Sequence, residues 1–296
     1  MKKHSHRHQQ TRLVGKKGQI NLNIVRLGSS PLGTSDLYHW LLTLSWPEFF
    51  GRIALLYIIS NALFALAYLA GGDCIANAQS GDFKDAFFFS VQTMATIGYG
   101  SMYPRTIYAN SVVAVEALFG LLGVAMVTGL SFARFSRPTA KVLFSRVAVI
   151  APQNGVLTLM CRSANQRYNQ ILEAQQRLTL LRDEFTAEGQ FMRRFYDLNL
   201  VRSRTPIFAL TWTVMHVIDE SSPLYGLTAE DLVKHQIEIL VTMTGIDETV
   251  SQTIHARHSY VAGEILWNMR FVDILSKSPD GKRFIDYSRF HDVIGL

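Results

Sequence analysis

Apolar positions along this chain fall into long unbroken runs in one region and alternate with polar ones in another. "IALLYIISNALFALAYLAGG" (53–72) has no ionisable side chain, and "IYANSVVAVEALFGLLGVAMVTGLSFA" (107–133) carries a single acid, Glu116. About 20 apolar residues, at roughly 1.5 Å each, cross a hydrocarbon core about 30 Å thick. The runs therefore predict two membrane spans, an outer helix over about 48–72 and an inner helix over about 107–136. Neither is short and N-terminal enough to be a removable signal sequence. Between them, "GDFKDAFFFSVQTMA" (81–95) is apolar enough to enter a bilayer and too short to cross it. It predicts a re-entrant helix over about 82–95, with Asp82 and Asp85 suited to its N-terminus by capping and by charge against the helix dipole.

Upstream, "GTSDLYHWLLTLSW" places Leu37, Trp40, Leu41 and Leu44 at i, i+3, i+4, i+7. The spacing predicts an amphipathic helix over 34–46, ended by Pro47 and lying in the membrane interface; a plain extension of the first span is the alternative. Residues 1–33 are polar and basic and open on "KKHSHRHQQ", which reads as a disordered or extended arm, with metal binding by its histidines as the other reading. Beyond residue 145 the period becomes two. "RLTLLRDEF", "QFMRRFYDLNLV", "PIFALTWTVMHVI", "IEILVTMTG" and "TIHARHSYVAGEILW" read as strands, separated by the turn signals "QNG", "AEG", "DESSP" and "PDG". Their spacing predicts an all-β sandwich over 137–296. The expected fold class is thus an α-helical membrane pore domain over 47–136 followed by a β-sandwich.

Charge sets the orientation. Lys16, Lys17, Arg26 and Arg52 precede the first run, Arg134, Arg137, Lys141 and Arg146 follow the second, and only Lys84 and Arg105 lie between. By the positive-inside rule both termini are expected in the cytoplasm, in a multi-pass protein of the plasma (inner) membrane. The formal charge of +6 is largely this signal, so a nucleic-acid partner is not expected. Cys74 and Cys161 fall on opposite sides of that map, which excludes a disulfide between them. The chain has no glycine-rich phosphate loop, nucleophile motif or ordered metal-ligand spacing, so neither an enzyme nor a cofactor is expected.

The stretch "TMATIGYGSMYP" (93–104) suits neither a span interior nor a hairpin. Non-helical backbone at membrane depth is tolerated only where it is buried or lines a water-filled path. Glycine at positions 98 and 100 removes the steric cost of conformations that turn successive carbonyls toward one axis. One chain supplies one such loop. A closed ring of them requires a cyclic arrangement of identical subunits.

Thr96, Ile97, Gly98, Tyr99 and Gly100 resemble a potassium selectivity filter, in which carbonyls of four loops replace the hydration shell of K+, and with one loop per chain this implies a homotetramer. With "SFARFSRPTAKVLFS", "WTVMHVIDESSPLYG" and "IHARHSYVAGEILWNMRFVDIL", the chain from about Thr34 to Asp292 resembles the inward-rectifier potassium channels, specifically their prokaryotic, KirBac-type branch. The resemblance implies a two-span pore above an immunoglobulin-like cytoplasmic domain that controls passive K+ conduction, with K+ as permeant ion rather than cofactor. It also implies block by Ba2+, Mg2+ or polyamines.

Several residues acquire expected roles. Steps of four residues advance about 400°, so Val124, Thr128 and Phe132 lie within roughly 80° of arc on one face of the inner helix. If that face lines the cavity, four copies of Phe132 form an apolar constriction, where the resemblance places the helix-bundle gate; a simple interface anchor is the alternative. Gly120 and Gly129 are candidate hinges, with close packing as the other reading for each. Glu116, costly in hydrocarbon, is expected to support the filter from behind through Gln92 or Thr93. Arg134, Arg137 and Lys141, spaced by three and four, are expected on one helix face. There they either meet anionic phospholipid or phosphoinositide or merely set topology. His255, Ala256, Arg257 and His258 resemble the segment beside the narrow cytoplasmic loop gate of the family. Strong animal rectifiers carry an acid on the cavity face where this chain has Val124, so strong rectification is not expected. A potassium-uptake transporter subunit and a membrane-anchored cytoplasmic ligand-binding protein are the competing functions.

Overall fold

The computed structural model describes residues 37–277 and 280–296, so the expected N-terminal arm and residues 34–36 lie outside the described residues. The chain divides into two compact units at Arg137/Pro138. Within the first, α1 (Leu37–Thr43) precedes α2 (Trp46–Ala70), followed by β1 (Ile75–Ala76), α3 (Phe83–Met94), β2 (Tyr103–Pro104) and α4 (Ile107–Phe135). Helices α2 and α4 are both long and apolar enough to cross a membrane.

Pro47 does not end the first helix, as the sequence pattern had it, but starts the second. Ser45 is the N-cap of α2, its side chain accepting from the Glu48 amide while the Glu48 carboxylate accepts from the Ser45 amide at 3.0 Å, and Pro47 occupies the first turn. A proline there loses nothing, because its missing N–H is one of the unpaired donors of any helix start. In α1, Leu37 and Trp40 stay exposed, and Leu42, off the predicted apolar face, is the buried residue.

Helix α3 begins at Asp82, whose carboxylate accepts from the Lys84 amide, while Asp85 accepts from the Gln79 amide at 2.7 Å. It packs between α2 and α4 around Ala65, Tyr68, Ala86, Phe89 and Ala109. Strands β1 and β2 join the segments flanking it, with Ile75 opposite Pro104. Burying helix faces in this way removes apolar surface from contact with polar groups and fixes the backbone that follows α3.

The second unit is a β-sandwich with a helix. Its strands are β3 (Val142–Phe144), β4 (Ala148–Gln153), β5 (Val156–Asn165), β6 (Ile171–Phe185), β7 (Phe191–Leu198), β8 (Arg204–Phe208) and β9 (Thr211–Val217). Helix α5 (Ala229–Lys234) follows, then β10 (Glu238–Asp247), β11 (Gln252–Val261), β12 (Ile265–Trp267), β13 (Met269–Phe271), β14 (Leu275–Lys277), β15 (Arg283–Ile285) and β16 (Val293–Gly295). One sheet runs β11-β10-β6-β7 with β8 also on β6; the other runs β12-β4-β5-β3 with β9 also on β5. Side chains from both sheets, among them Ile150, Leu159, Val214, Leu180, Val241 and Tyr260, form the shared core.

"PIFALTWTVMHVI", which reads as one strand, is two. Its first part, β8, pairs with β6, and its second, β9, pairs with β5 in the opposite sheet. Between them the chain turns from one sheet to the other at Ala209 and Leu210, while Phe208 and Trp212 both remain in the core. Helix α5, unmarked by a strong period, starts in a capping box between Thr228 and Asp231.

Candidate functional site

The backbone after α3 has the conformation that the glycines called for. Residues 98 and 100 have φ of +56° and +80°, and Thr96 has φ of +55°, whereas Ile97 and Tyr99 are not in the positive region. Signs of φ thus alternate over five residues, which turns successive carbonyls to one side rather than to opposite sides as in a strand. The amide hydrogens of residues 96–98 point toward the end of α3. Thr96 donates to the Thr93 carbonyl at 3.0 Å, Ile97 to that of Gln92 at 2.8 Å, and Gly98 to Gln92 at 3.4 Å. Among the described residues no hydrogen bond ends on a carbonyl of residues 96–100.

A β-branched residue in the left-handed region is costly, about 1–3 kcal/mol, and persists only where its surroundings impose it. Thr96 was not legible as such a position. The signal available is its place one residue beyond the cap of α3, where the bonds from residues 96 and 97 to the helix end fix the turn. Ile97 and Tyr99 leave their side chains 46% and 75% exposed on this single chain, an apolar surface for which the chain itself has no cover.

Behind this loop, Glu116 is fully buried. The sequence placed it against Gln92 or Thr93; its partners are instead Tyr68 of α2 and Ser90 of α3. The reason is register. Thr93 spends its hydroxyl on the Phe89 carbonyl, whereas Ser90, about half a turn before Gln92, faces α4 and bonds Glu116. Ser90 also bonds the Asn61 Oδ1 at 3.0 Å, so one buried set of polar groups joins the three helices.

Gly120 is a contact rather than a bend. Helix α4 is continuous from 107 to 135, and a Cβ at Gly120 would come within 2.6 Å of the Met94 carbonyl oxygen. Gly129, by contrast, has open space around it. Val124, Thr128 and Phe132 are all exposed on α4, Phe132 at 73%.

The basic residues are redistributed. Helix α4 ends at Phe135, with Ser136 as its cap, so Arg137 and Lys141 do not continue a helical face. Arg134 is buried and does not face lipid. Its guanidinium donates to the carbonyls of Leu41 and Leu44, both at 2.6 Å, and lies over the rings of Trp46 and Phe49 at 4.6 and 4.5 Å. Arg137 adds a 3.3 Å bond to the Leu42 carbonyl. Leu41 and Leu42 are in the last turn of α1, whose carbonyls have no intrahelical donor, and Leu44 lies just beyond its end. Lys141 and Arg137 remain exposed.

In the second unit, His255, Ala256, Arg257 and His258 lie on a strand. They occupy the middle of β11, opposite Thr244, Met243, Thr242 and Val241 of β10. The turn of this hairpin is Glu248–Ser251, anchored by Asp247, which is bound by Arg167 at 2.9 Å and Asn169 at 2.7 Å. Burial pushes the Asp247 carboxyl up, but the Thr249 amide, Asn169 and Arg167 outweigh it, and it sits below the usual range. His258 stacks on Phe144, and with Arg146 and Lys141 it lines a cavity of about 900 Å³. His216 is buried between the Asn199 carbonyl and the Ser222 hydroxyl, and burial lowers its pKa. Cys74 and Cys161 are both free and buried; burial pushes the Cys161 thiol up to about 12.

Comparison with known proteins places these two units. Residues 142–296 match the family described as the inward rectifier potassium channel C-terminal domain, and residues 53–137 match the family described as ion channel. The chain is 54% identical to the inward rectifier potassium channel Kirbac3.1 of Paramagnetospirillum magnetotacticum, over 92% of each chain. The chain belongs to the inward rectifier potassium channels. To the ATP-sensitive inward rectifier potassium channel 12 of Gallus gallus it is 31% identical, over 97% of this chain and 72% of that one. A solved structure of Spo0M, a sporulation control protein from Bacillus subtilis, overlaps 44% of the chain and 50% of its own at a TM-score of 0.25 and 10% identity, too little to bear on the fold. As a member of the prokaryotic branch of these channels, the protein is a membrane-embedded conductor of K+ by passive flow and not an enzyme.

Proposed function

We propose that four copies of the chain surround one axis and that residues 96–100 are the selectivity filter. The observation that carries this is the alternating sign of φ at Thr96, Ile97, Gly98, Tyr99 and Gly100, with the amides of residues 96–98 bonded to the end of α3 and the carbonyls of 96–100 left without donors. Four such loops supply rings of carbonyl oxygens that stand in for the waters of K+. The exposed Ile97 and Tyr99 side chains are then covered by neighbouring copies.

In this reading Val124 and Thr128 line the cavity and Phe132 closes it at the cytoplasmic end. Both termini are cytoplasmic, and the β-sandwich biases the gate. Anionic headgroups, phosphoinositide among them, meet the exposed Arg137 and Lys141, each worth about 1 kcal/mol near an anionic surface. Val124, an apolar residue, gives Mg2+ or polyamines no charge to hold, so block from inside is weak. Ba2+, which has the charge to sit in a carbonyl ring, blocks the filter.

The test is flux into liposomes containing the purified protein, with no energy source. Uptake of K+ over Na+, stopped by Ba2+ and altered by phosphoinositide in the vesicles, is the expected result. No K+ uptake under any lipid composition, from protein that is tetrameric by light scattering, overturns the filter assignment and leaves the membrane-anchored binding protein.

A further inference from the structure

One distribution of protons satisfies every contact among the buried polar groups that join α2, α3 and α4. Asn61 fixes the direction. Its Nδ2 bonds the Tyr57 carbonyl at 2.8 Å, and a carbonyl only accepts, so the amide nitrogen lies there and Oδ1 faces Ser90. Oδ1 is itself only an acceptor. Ser90, with a single hydroxyl proton, thus stands between two acceptors, Asn61 Oδ1 and Glu116 Oε1; given to Asn61, that proton leaves lone pairs of the Ser90 oxygen facing Glu116 Oε1. An ionised carboxylate there would set two acceptors against each other. A proton on Oε1, donated to Ser90, resolves the conflict, while Oε2 accepts from the Tyr68 hydroxyl.

Among the described residues no cation is paired with Glu116; Arg105, just before α4, is exposed and engaged by Asp73 at 2.9 Å. Along the packed helices, the nearest basic residues on α2, α3 and α4 are Arg52, Lys84 and Arg134, roughly 24, 9 and 27 Å in axial rise from Tyr68, Ser90 and Glu116. Lys84 is exposed at the far end of α3, Asp85 is engaged by the Gln79 amide, and Cys74 donates to the Tyr68 carbonyl. A lone carboxylate fully withdrawn from water without a cation is costly, so the neutral acid is favoured by solvation as well as by bonding.

We infer that Glu116 is carried as a neutral carboxylic acid, and that the directed chain Tyr68 to Glu116 to Ser90 to Asn61 is a positioning clamp that holds α3, and the filter that follows it, against both spans. Asn61 extends the clamp to the end of α3, its Nδ2 also reaching Met94 Sδ at 3.5 Å, and Met94 is the last residue of the helix. The positioning half rests on the reading of residues 96–100 as the filter; the protonation half does not.

The experiment is isotope-edited infrared spectroscopy of the full-length protein with labelled glutamate, alongside flux and thermal denaturation. A protonated-carboxyl band at neutral pH, absent in Glu116→Gln and displaced in Ser90→Ala, is expected. A spectrum in which Glu116→Gln removes only carboxylate bands overturns the protonation. Glu116→Gln presents the same donor to Ser90 and the same acceptor to Tyr68, so its K+ over Na+ preference should stay within about twofold of the unmodified channel. Glu116→Ala strands both partners and should lower the preference about tenfold, the scale of one buried polar group left unpaired. If Glu116→Ala folds too poorly to measure, Tyr68→Phe, which removes one link and keeps the ring, is read in its place and should give a smaller loss in the same direction. A protonated band together with unaltered selectivity in Glu116→Ala, or in Tyr68→Phe where that is the variant read, overturns the clamp. Absence of selective flux in the unmodified protein would instead fault the filter reading.

Discussion

Replacing Gly98 by alanine tests the alternation of φ on which conduction is argued. At φ of +56° the position is left-handed, and a Cβ there has no neighbour within 4 Å in its own chain. The penalty is therefore conformational rather than a clash within the chain, about 1–2 kcal/mol for an L-residue in this region. In the proposed tetramer four copies share one pore, so its carbonyl ring is disfavoured by roughly 4–8 kcal/mol, or about three to six orders of magnitude in population. Thr96 bears a similar penalty, but its amide is held at 3.0 Å by Thr93, whereas the Gly98 amide has only a 3.4 Å bond to Gln92 with which to resist relaxation. The assay is K+ against Na+ uptake into liposomes, with oligomeric state checked in parallel. Gly123→Ala is the control: it lies inside α4 with open space at its Cβ, and alanine there should favour the helix by about 0.8–1 kcal/mol. Intact tetramers of Gly98→Ala with the unmodified ion preference would refute the reasoning.

Gly120→Ala pushes a methyl toward the Met94 carbonyl at 2.6 Å and should cost about 1–3 kcal/mol, seen as a lower melting temperature and reduced selectivity; an unchanged melting temperature would show that α4 is not held this closely to α3. Arg134→Ala removes two charge-assisted bonds to α1, roughly 3 kcal/mol or more, and should raise hydrogen exchange over residues 37–43, while Arg134→Lys, lacking the fork, should recover only part. His216 is neutral in the fold because burial lowers its pKa from 6.5, so the unfolded chain takes up the proton first. Its contribution to stability is complete above the unfolded value and is lost as pH falls below it toward the folded one. Each pH unit of that window is worth up to about 1.4 kcal/mol, and His216→Gln should flatten the melting temperature there relative to the unmodified channel.

What the sequence shows and what it hides follow from the range of each interaction. A bilayer demands an unbroken apolar length, so α2 and α4 are legible from hydropathy alone, and the short run of α3 is legible because it fails the same test. Gly98 and Gly100 announce positive φ by lacking a side chain; Thr96 adopts it against its own preference, because the end of α3 imposes it, and nothing local reveals that. Arg134 shows how charge misleads. Read along the chain it is one of a row of basic residues at the membrane face, yet its partners are carbonyls some 90 residues earlier in sequence, and only the packing of α1 on α4 turns a lipid contact into a helix cap. Glu116 is the converse case. Its cost in hydrocarbon makes the need for partners legible, but which turn of α3 supplies them depends on register, and a shift from Gln92 to Ser90 changes the chemistry from an amide beside the filter to a hydroxyl that requires a proton on the acid. The backbone of residues 96–100 is therefore encoded by its glycines, while its support is encoded by buried polar groups whose roles become definite only when their hydrogen bonds are counted together.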